Sequence, residues 1–273
     1  MTQINASIVL YNNNIRQIQK VIESYFSSKL STKLYLIDNS PDNRLSILEK
    51  VDKRIEYIFN GANIGYGAGH NIALKKSISN HVSYHIVLNP DLYFDGNVVN
   101  LLYEYMKLNK NTGNIMPKIL YPDGKNQFLA KLLPTPFDWI LRRFLPNCWT
   151  KNITNRFELR FTKYNKIMNV PFLSGCFMFL RVDTLKEIGL FDENIFMYME
   201  DIDLNRRIHK KYKTIYYPYC KVYHEYERGS HKNLKLFKIS IESSIKYFNK
   251  WGWFFDKDRS LFNNKILKDT NYE

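Results

Sequence analysis

Apolar strand-like runs alternate with helical spacing over residues 6–88, and this alternation constrains the fold more than any other feature of the chain. Ala6-Ser-Ile-Val-Leu-Tyr11, Lys33-Leu-Tyr-Leu-Ile37, Ile55-Glu-Tyr-Ile-Phe59 and Tyr84-His-Ile-Val-Leu88 read as buried strands. Between the first two, Ile15, Ile18, Val21, Ile22, Tyr25 and Phe26 recur at helical spacing, and His70 to Ser79 looks helical. Strands that alternate with helices predict an α/β fold with a mostly parallel sheet and right-handed crossovers. Ligands of such sheets bind beyond the carboxyl ends of the strands. Tyr11, the turn Asp38-Asn-Ser-Pro-Asp42, the loop Asn60 to Gly69 and Asn89-Pro90-Asp91 all fall at those ends.

The rest of the chain is less regular. Tyr121 to Lys166 carries Pro122, Pro134, Pro136 and Pro146 among aromatic and basic residues, and reads as an insertion or lid. Val170 to Arg181 returns to strand character, and Asp183 is placed to cap a short helix over Thr184 to Ile188. His224 follows the apolar stretch Ile215 to Val222. Its neighbours Glu225, Glu227, Arg228, Gly229, Ser230 and His231 predict a polar, mobile loop. Leu234 to Trp253 is amphipathic, with Lys235, Lys238, Lys246 and Lys250 among Phe237, Phe248 and Trp251. It is too polar to span a membrane, and either lies on an anionic membrane surface or packs as a C-terminal helix. The expected division is a catalytic domain over 1–231 and a helical extension over 232–273.

The chain has 273 residues, enough for one full core with a small appendage. Lys and Arg exceed Asp and Glu by 14 charges, so an anionic partner is expected: nucleic acid, a nucleotide diphosphate or anionic lipid. Cys148, Cys176 and Cys220 have no metal-ligand spacing, which fits reduced thiols in a cytosol. With no apolar run of about twenty residues and no n-region followed by an h-region, neither a membrane span nor a signal peptide is expected.

Three constellations carry chemistry. The loop Asn60 to Gly69 contains Gly61, Gly65, Gly67 and Gly69, which let backbone N–H groups approach a phosphate or ribose. It is neither a Rossmann fingerprint nor a Walker loop, and a plain loop accounts for it equally well. Asp91 is either a surface turn residue or a carboxylate ligand to Mg²⁺ or Mn²⁺; one Asp suffices where substrate phosphate completes the shell. Phe196 to Arg207 sets Glu200, Asp201 and Asp203 at a helix start behind a bulky apolar run. Asp203 and Arg207, four apart, form a surface pair, whereas Asp201 lies on another face. Acids in a first turn also suit the helix dipole, but the apolar run favours a functional carboxylate at a cleft wall. A neutral His224 imidazole suits a metal shell.

These residues resemble the family 2 inverting glycosyltransferases, especially the bacterial rhamnosyltransferase-like branch. The likeness is carried by Ser7-Ile-Val-Leu-Tyr-Asn12 with Asp38-Asn-Ser40, by Asn63-Ile-Gly-Tyr-Gly-Ala-Gly-His-Asn71, and by Leu88-Asn-Pro-Asp-Leu92. Gly175-Cys-Phe-Met through Glu200-Asp-Ile-Asp-Leu-Asn-Arg-Arg207, with His224, completes it. The resemblance implies a GT-A fold, a nucleotide-sugar donor and a divalent metal, Mg²⁺ or Mn²⁺. It makes Asp201 the general base and Asp91 and His224 metal ligands. It places Tyr11, Asp38, Asn63, Gly65, Gly67, Asn71 and Asn89 around the nucleotide sugar. The family's Asp-x-Asp is Asn89-Pro90-Asp91 here, a form familiar in the rhamnosyltransferase-like branch.

The expected donor is dTDP-rhamnose, with a UDP-sugar as the other choice. The expected acceptor is a lipid-linked saccharide in bacterial surface polysaccharide synthesis, O-antigen or capsule. The expected location is the cytoplasm, at most peripheral on the inner face of the membrane. A basic nucleic-acid-binding module is the rival reading, but it lacks a recognisable motif and gives no account of Asp91, Asp201 and His224. A nucleotidyltransferase would need a Gly- and Lys-rich loop where Tyr11-Asn-Asn-Asn14 stands.

Overall fold

The computed structural model describes residues 4–139, 147–225 and 234–272. The expected loop over Glu227 to His231 and the division at residue 231 lie outside them, as does the side chain of Cys148. The strands are β1 (Ile4–Leu10), β2 (Ser31–Asp38), β3 (Ile55–Phe59), β4 (Tyr84–Leu88), β5 (Leu92–Phe94), β6 (Thr112–Leu120), β7 (Ala130–Lys131), β8 (Met168–Asn169), β9 (Phe172–Leu173), β10 (Phe177–Arg181) and β11 (Lys213–His224). The helices are α1 (Ile15–Phe26), α2 (Tyr66–Ser79), α3 (Asn97–Leu108), α4 (Asn147–Phe157), α5 (Val182–Ile188), α6 (Glu200–His209), α7 (Leu234–Trp251) and α8 (Lys257–Asp269).

The large sheet has the order β3-β2-β1-β4-β10-β6-β11-β5, with β8 also on β11. β1 pairs in parallel with β2 and β4, and β2 with β3. Every residue of β4 is buried, as expected where helices cover both faces of a parallel sheet. One core gathers Ile8, Leu36, Leu88 and Phe177 with Ile18 and Val21 of α1. A second, on the other face, gathers Val87, Met178 and Leu180 with Leu74 of α2, Leu185 of α5, and Leu204 and Ile208 of α6. β10 runs antiparallel between β4 and β6, while β11 is parallel to β6. The start of β10 and the end of β11 therefore lie at the same sheet edge as the ends of β1 to β4. That reversal assembles the site from distant stretches of sequence.

Some local expectations change. α5 starts at Val182 with Arg181 at the N-cap. Asp183 lies inside the first turn and meets Lys186 Nζ at 2.9 Å, so it is not the cap. His224 ends a strand and is buried, because the polar residues after it say nothing about the ladder that holds it. The 121–166 stretch contributes Leu132, Leu133, Phe157, Leu159 and Tyr164 to the main core. In α7, Ser240, Ser243, Ser244, Tyr247 and Phe248 are buried, so this helix packs on the protein and Phe248 faces inward. Arg206 of α6 forms a fork with Asp256, just before α8: Nη1 meets Oδ2 at 2.6 Å and Nη2 meets Oδ1, with both side chains almost fully buried.

Candidate active site

Asp91 and His224 come together although 133 positions separate them in the chain. His224 pairs with Leu92 across β11 and β5, and the Glu225 N–H donates to the Asp91 carbonyl at 3.0 Å. Asp91 Oδ1 then lies 3.2 Å from His224 Nε2, yet it is buried and accepts no aligned hydrogen bond from the described residues. The far side of the imidazole is fixed by Gln127. Its Nε2 donates to the His224 carbonyl at 2.9 Å and to the Leu120 carbonyl at 3.3 Å, which turns its Oε1 toward His224 Nδ1 at 2.9 Å. Nδ1 therefore carries the proton toward Gln127, and Nε2 faces Asp91. Burial alone would lower the imidazole pKa. The Asp91 carboxylate and the Cys176 sulfur outweigh it, and the His224 pKa is pushed up to about 10.

This pair fits a divalent cation. The Asp91 carboxylate faces Nε2 of an imidazole whose other nitrogen is held by Gln127, the pattern that orients a metal-binding histidine. The raised pKa puts a proton on Nε2 in place of the neutral ring expected from the sequence, and a divalent cation would have to displace that proton. The carboxylate suits Mg²⁺ or Mn²⁺, and the imidazole favours the softer Mn²⁺ of these two. Among the described residues, no group of three or more His, Cys, Asp and Glu side chains is placed to hold a metal. The remaining positions would fall to water and to oxygens of a diphosphate.

Asp201 belongs to a different environment. It sits in the first turn of α6, entered through Tyr198 and Met199 in left-handed backbone (φ 66° and 70°), a strained path for such side chains. Asp201 Oδ2 accepts from the Gly175 N–H at 2.8 Å, and Oδ1 accepts from the Ile202 N–H at 2.8 Å. A Cβ on Gly175 would fall 3.0 Å from Asp201 Cβ, so glycine there permits the approach. Burial raises the Asp201 pKa against the opposing pull of the Gly175 and Ile202 N–H groups and of Lys131. The adjacent Glu200 is buried, and burial with the nearby Asp201 charge keeps its carboxyl protonated well above the usual range. A carboxylate of raised basicity near the carboxyl ends of the strands suits proton abstraction.

The two centres are joined by hydrogen bonds. The Tyr66 hydroxyl lies 3.0 Å from Asn89 Oδ1 and 2.8 Å from the Gly175 carbonyl, sharing one proton between two acceptors. The Asn89 N–H donates to the Cys176 carbonyl at 2.9 Å, and Asn89 Nδ2 lies 3.4 Å from His224 Nε2. Sequence reasoning missed Gln127, Tyr66 and Lys131. Only the Tyr in Asn63-Ile-Gly-Tyr66 carried a usable signal, as a hydroxyl-bearing aromatic beside the glycines.

The structure divides the expected nucleotide residues. Tyr11 is 49% exposed just beyond β1, and Asn63 is exposed beyond β3. Asp38 is fully buried, with Oδ1 accepting from the Ser40 N–H at 2.8 Å and Oδ2 from the Tyr57 hydroxyl; it braces the strand end and lines no open surface. Asn71 is also a brace. Its amide donates to the Phe191 carbonyl and to Glu193, and its oxygen accepts from the Phe191 N–H at 3.0 Å, tying α2 to the turn before α6. The glycines answer to packing. Gly65 has φ +97°, and a Cβ there would lie 2.5 Å from the Phe196 carbonyl oxygen; a Cβ on Gly67 would lie 2.8 Å from Phe191 Cβ. Asp203 is fully buried, so its pair with Arg207 is not a surface pair.

The comparisons with known proteins agree with this architecture. Residues 7–189 match the model of glycosyl transferase family 2. Over 173 residues the chain is 28% identical to the N-acetylglucosaminyl-diphospho-decaprenol L-rhamnosyltransferase of Mycobacterium tuberculosis (strain CDC 1551 / Oshkosh), covering 60% of this chain and 56% of that protein. The matched stretch thus spans a little over half of that relative. Rhamnosyltransferase WbbL of Escherichia coli (strain K12) is 22% identical over 277 residues, covering 97% of this chain and 96% of that one. The crystal structure of GalNAc-T7 with UDP, GalNAc and Mn²⁺ superposes with a TM-score of 0.62 at 14% identity, over 98% of this chain and 55% of that one. Structural likeness at this identity speaks for the fold, which is the GT-A fold. With the family model covering most of its length and the site lying at the expected strand ends, this chain belongs to glycosyl transferase family 2.

Proposed function

We propose that this chain is an inverting glycosyltransferase, transferring a sugar from a nucleoside diphosphate donor to a lipid-linked saccharide acceptor. The observation that carries the reading is the pairing of Asp201, a carboxylate of raised basicity, with the Asp91–His224 pair at one sheet edge. In a single displacement, Asp201 accepts the proton of the acceptor hydroxyl. The acceptor oxygen bonds to the anomeric carbon as the bond from that carbon to the phosphate oxygen breaks. Asp91 and His224 would hold the divalent cation, which when bound offsets the negative charge gathering on the departing diphosphate. Gly175 and Tyr66 keep the base and the Asn89 segment in register.

dTDP-rhamnose is the favoured donor, supported by the rhamnosyl transfer for which the mycobacterial and E. coli relatives are named. A UDP-sugar is the other choice, supported by the UDP in the GalNAc-T7 structure. The decaprenol diphosphate in the mycobacterial relative's name supports a lipid-linked acceptor, and with it a place in cell-surface polysaccharide synthesis such as O-antigen or capsule. The test is a donor-hydrolysis screen across nucleoside diphosphate sugars with and without Mn²⁺. Nucleotide release from dTDP-rhamnose that rises with Mn²⁺ is expected. Absence of both release and binding for every donor would overturn the reading.

A further inference from the structure

The turn between α7 and α8 holds two phenylalanines out of the protein. Phe254 is 67% exposed and Phe255 is 97% exposed. The backbone beneath them is firmly built. Gly252 has φ +102°, and a Cβ there would lie 2.5 Å from the Phe255 carbonyl oxygen. The buried Arg259 guanidinium donates to the carbonyls of Trp253 at 3.0 Å and Phe254 at 3.2 Å, with longer contacts to Gly252 at 3.4 Å and Pro134 at 3.5 Å. Asp256, gripped by Arg206, accepts from the Arg259 N–H at 3.0 Å and caps α8. Buried charges thus fix a turn whose apolar side chains point away from the core. The patch is extended by Phe137, 61% exposed, whose ring centre lies 6.2 Å from that of Phe254. Along α8, Lys257, Leu261, Lys265 and Lys268 recur at helical spacing and are all exposed. Among the described residues, none of these lysines makes an ion pair.

We propose that this knuckle is a contact for an anionic bilayer: Phe254 and Phe255 enter the headgroup–acyl boundary while Lys257, Lys265 and Lys268 meet lipid phosphates. The assignment deepens the function proposed above and rests on it, since a lipid-linked acceptor lies at such a surface. Two features favour a bilayer over a protein partner. A side chain 97% exposed projects beyond its surroundings, as an aromatic must to reach the headgroup–acyl boundary. Unpaired lysines beside it match anionic headgroups, the pattern of interfacial anchors. The knuckle is also mechanically close to the proposed base: Lys250 and Trp251, the last residues of α7, both contact Asp203, two positions from Asp201.

The test is co-sedimentation of the full chain with vesicles of pure phosphatidylcholine or of phosphatidylcholine mixed with phosphatidylglycerol. We expect binding to the anionic vesicles that weakens with salt. The double variant Phe254→Ser, Phe255→Ser should lose at least about tenfold in partitioning, given the apolar surface that each Phe buries. It should keep Mn²⁺-dependent nucleotide binding and transfer to a short-chain, water-soluble acceptor. Lys257→Glu with Lys265→Glu should remove the salt-sensitive part. Wild-type partitioning in the Phe variant, or no vesicle binding by the unaltered chain, would overturn the proposal. So would a dimer, seen by light scattering without vesicles, that the Phe substitutions dissociate. Loss of nucleotide binding by the unaltered chain would instead sink the transferase reading, because the vesicle measurement uses no donor.

Discussion

Two sides of the first turn of α6 carry the same side-chain type in opposite settings. On the side facing Gly175, Asp201 is held by two backbone N–H groups and has no ion-pair partner among the described residues. On the side facing α7, Asp203 is fully buried and fully answered: Arg207 Nε lies 2.9 Å from Oδ2, and Lys250 Nζ and Trp251 Nε1 each lie 2.8 Å from Oδ1. Three donors on a buried carboxylate make a strut. Two fixed amides and a raised pKa leave the other carboxylate able to take a proton. Sequence position cannot distinguish the two, because what separates them is the partner that tertiary structure brings.

The comparison breaks first on stability. Removing Asp203 leaves Arg207 to the Ile188 and Leu190 carbonyls and Lys250 to Asp192, so Asp203→Ala should cost about 3 kcal/mol, the low end for breaking a buried pair because those partners remain. Urea unfolding checks this; an unchanged midpoint would deny Asp203 its structural role. At the proposed metal pair, Asp91→Ala should lower Mn²⁺-dependent nucleotide affinity by more than the ten- to hundredfold typical of losing an outer-sphere residue. Calorimetry with and without Mn²⁺ reads this directly, and equal affinities would take Asp91 out of the site.

Smaller effects sharpen the picture. Gln127 touches the proposed metal pair only through His224, so Gln127→Ala should weaken Mn²⁺ dependence by about ten- to hundredfold, with some loss of stability from the buried carbonyls and imidazole it leaves unpaired. Tyr66→Phe removes one shared hydroxyl between Asn89 and Gly175. A single hydrogen bond is worth about 0.5–1.5 kcal/mol, so kcat should fall only a few-fold, with KM for the donor little changed. A larger change in KM than in kcat would place Tyr66 in donor binding instead.

Much of the frame was legible because parallel strands advertise themselves. β3 and β4 match the apolar runs Ile55 to Phe59 and Tyr84 to Leu88 residue for residue, and the runs at β1 and β2 fall inside their strands but for Tyr11. The sequence also pointed to Asp91, His224 and Asp201. It did not show why Asp91 and His224 meet, which depends on β11 pairing with β5. Gln127 left no trace, since it acts on a residue 97 positions away, partly through a backbone carbonyl. The glycines of residues 61–69 were visible but ambiguous, and for Gly65 and Gly67 the close approaches of Phe196 and Phe191 supply a packing reason that only tertiary structure shows. The aromatic content of α7 was equally ambiguous: Phe248 is core, while the exposed pair lies just past the helix, where no amphipathic period marks it.

The most direct measurement of the central claim sets transfer beside nucleotide binding for Asp201→Asn and Asp203→Asn in matched preparations. Asparagine keeps the shape of each side chain and removes its basicity. The account predicts that Asp201→Asn loses about 10²–10⁴-fold in steady-state transfer while its Mn²⁺-dependent nucleotide affinity stays close to that of the unaltered chain; its unfolding midpoint should fall slightly, because the amide can accept from only one of the Gly175 and Ile202 N–H groups. Asp203→Asn should unfold more readily yet keep most of its turnover where it remains folded. Near-normal turnover in Asp201→Asn, or a collapse of transfer confined to a folded Asp203→Asn, would contradict it.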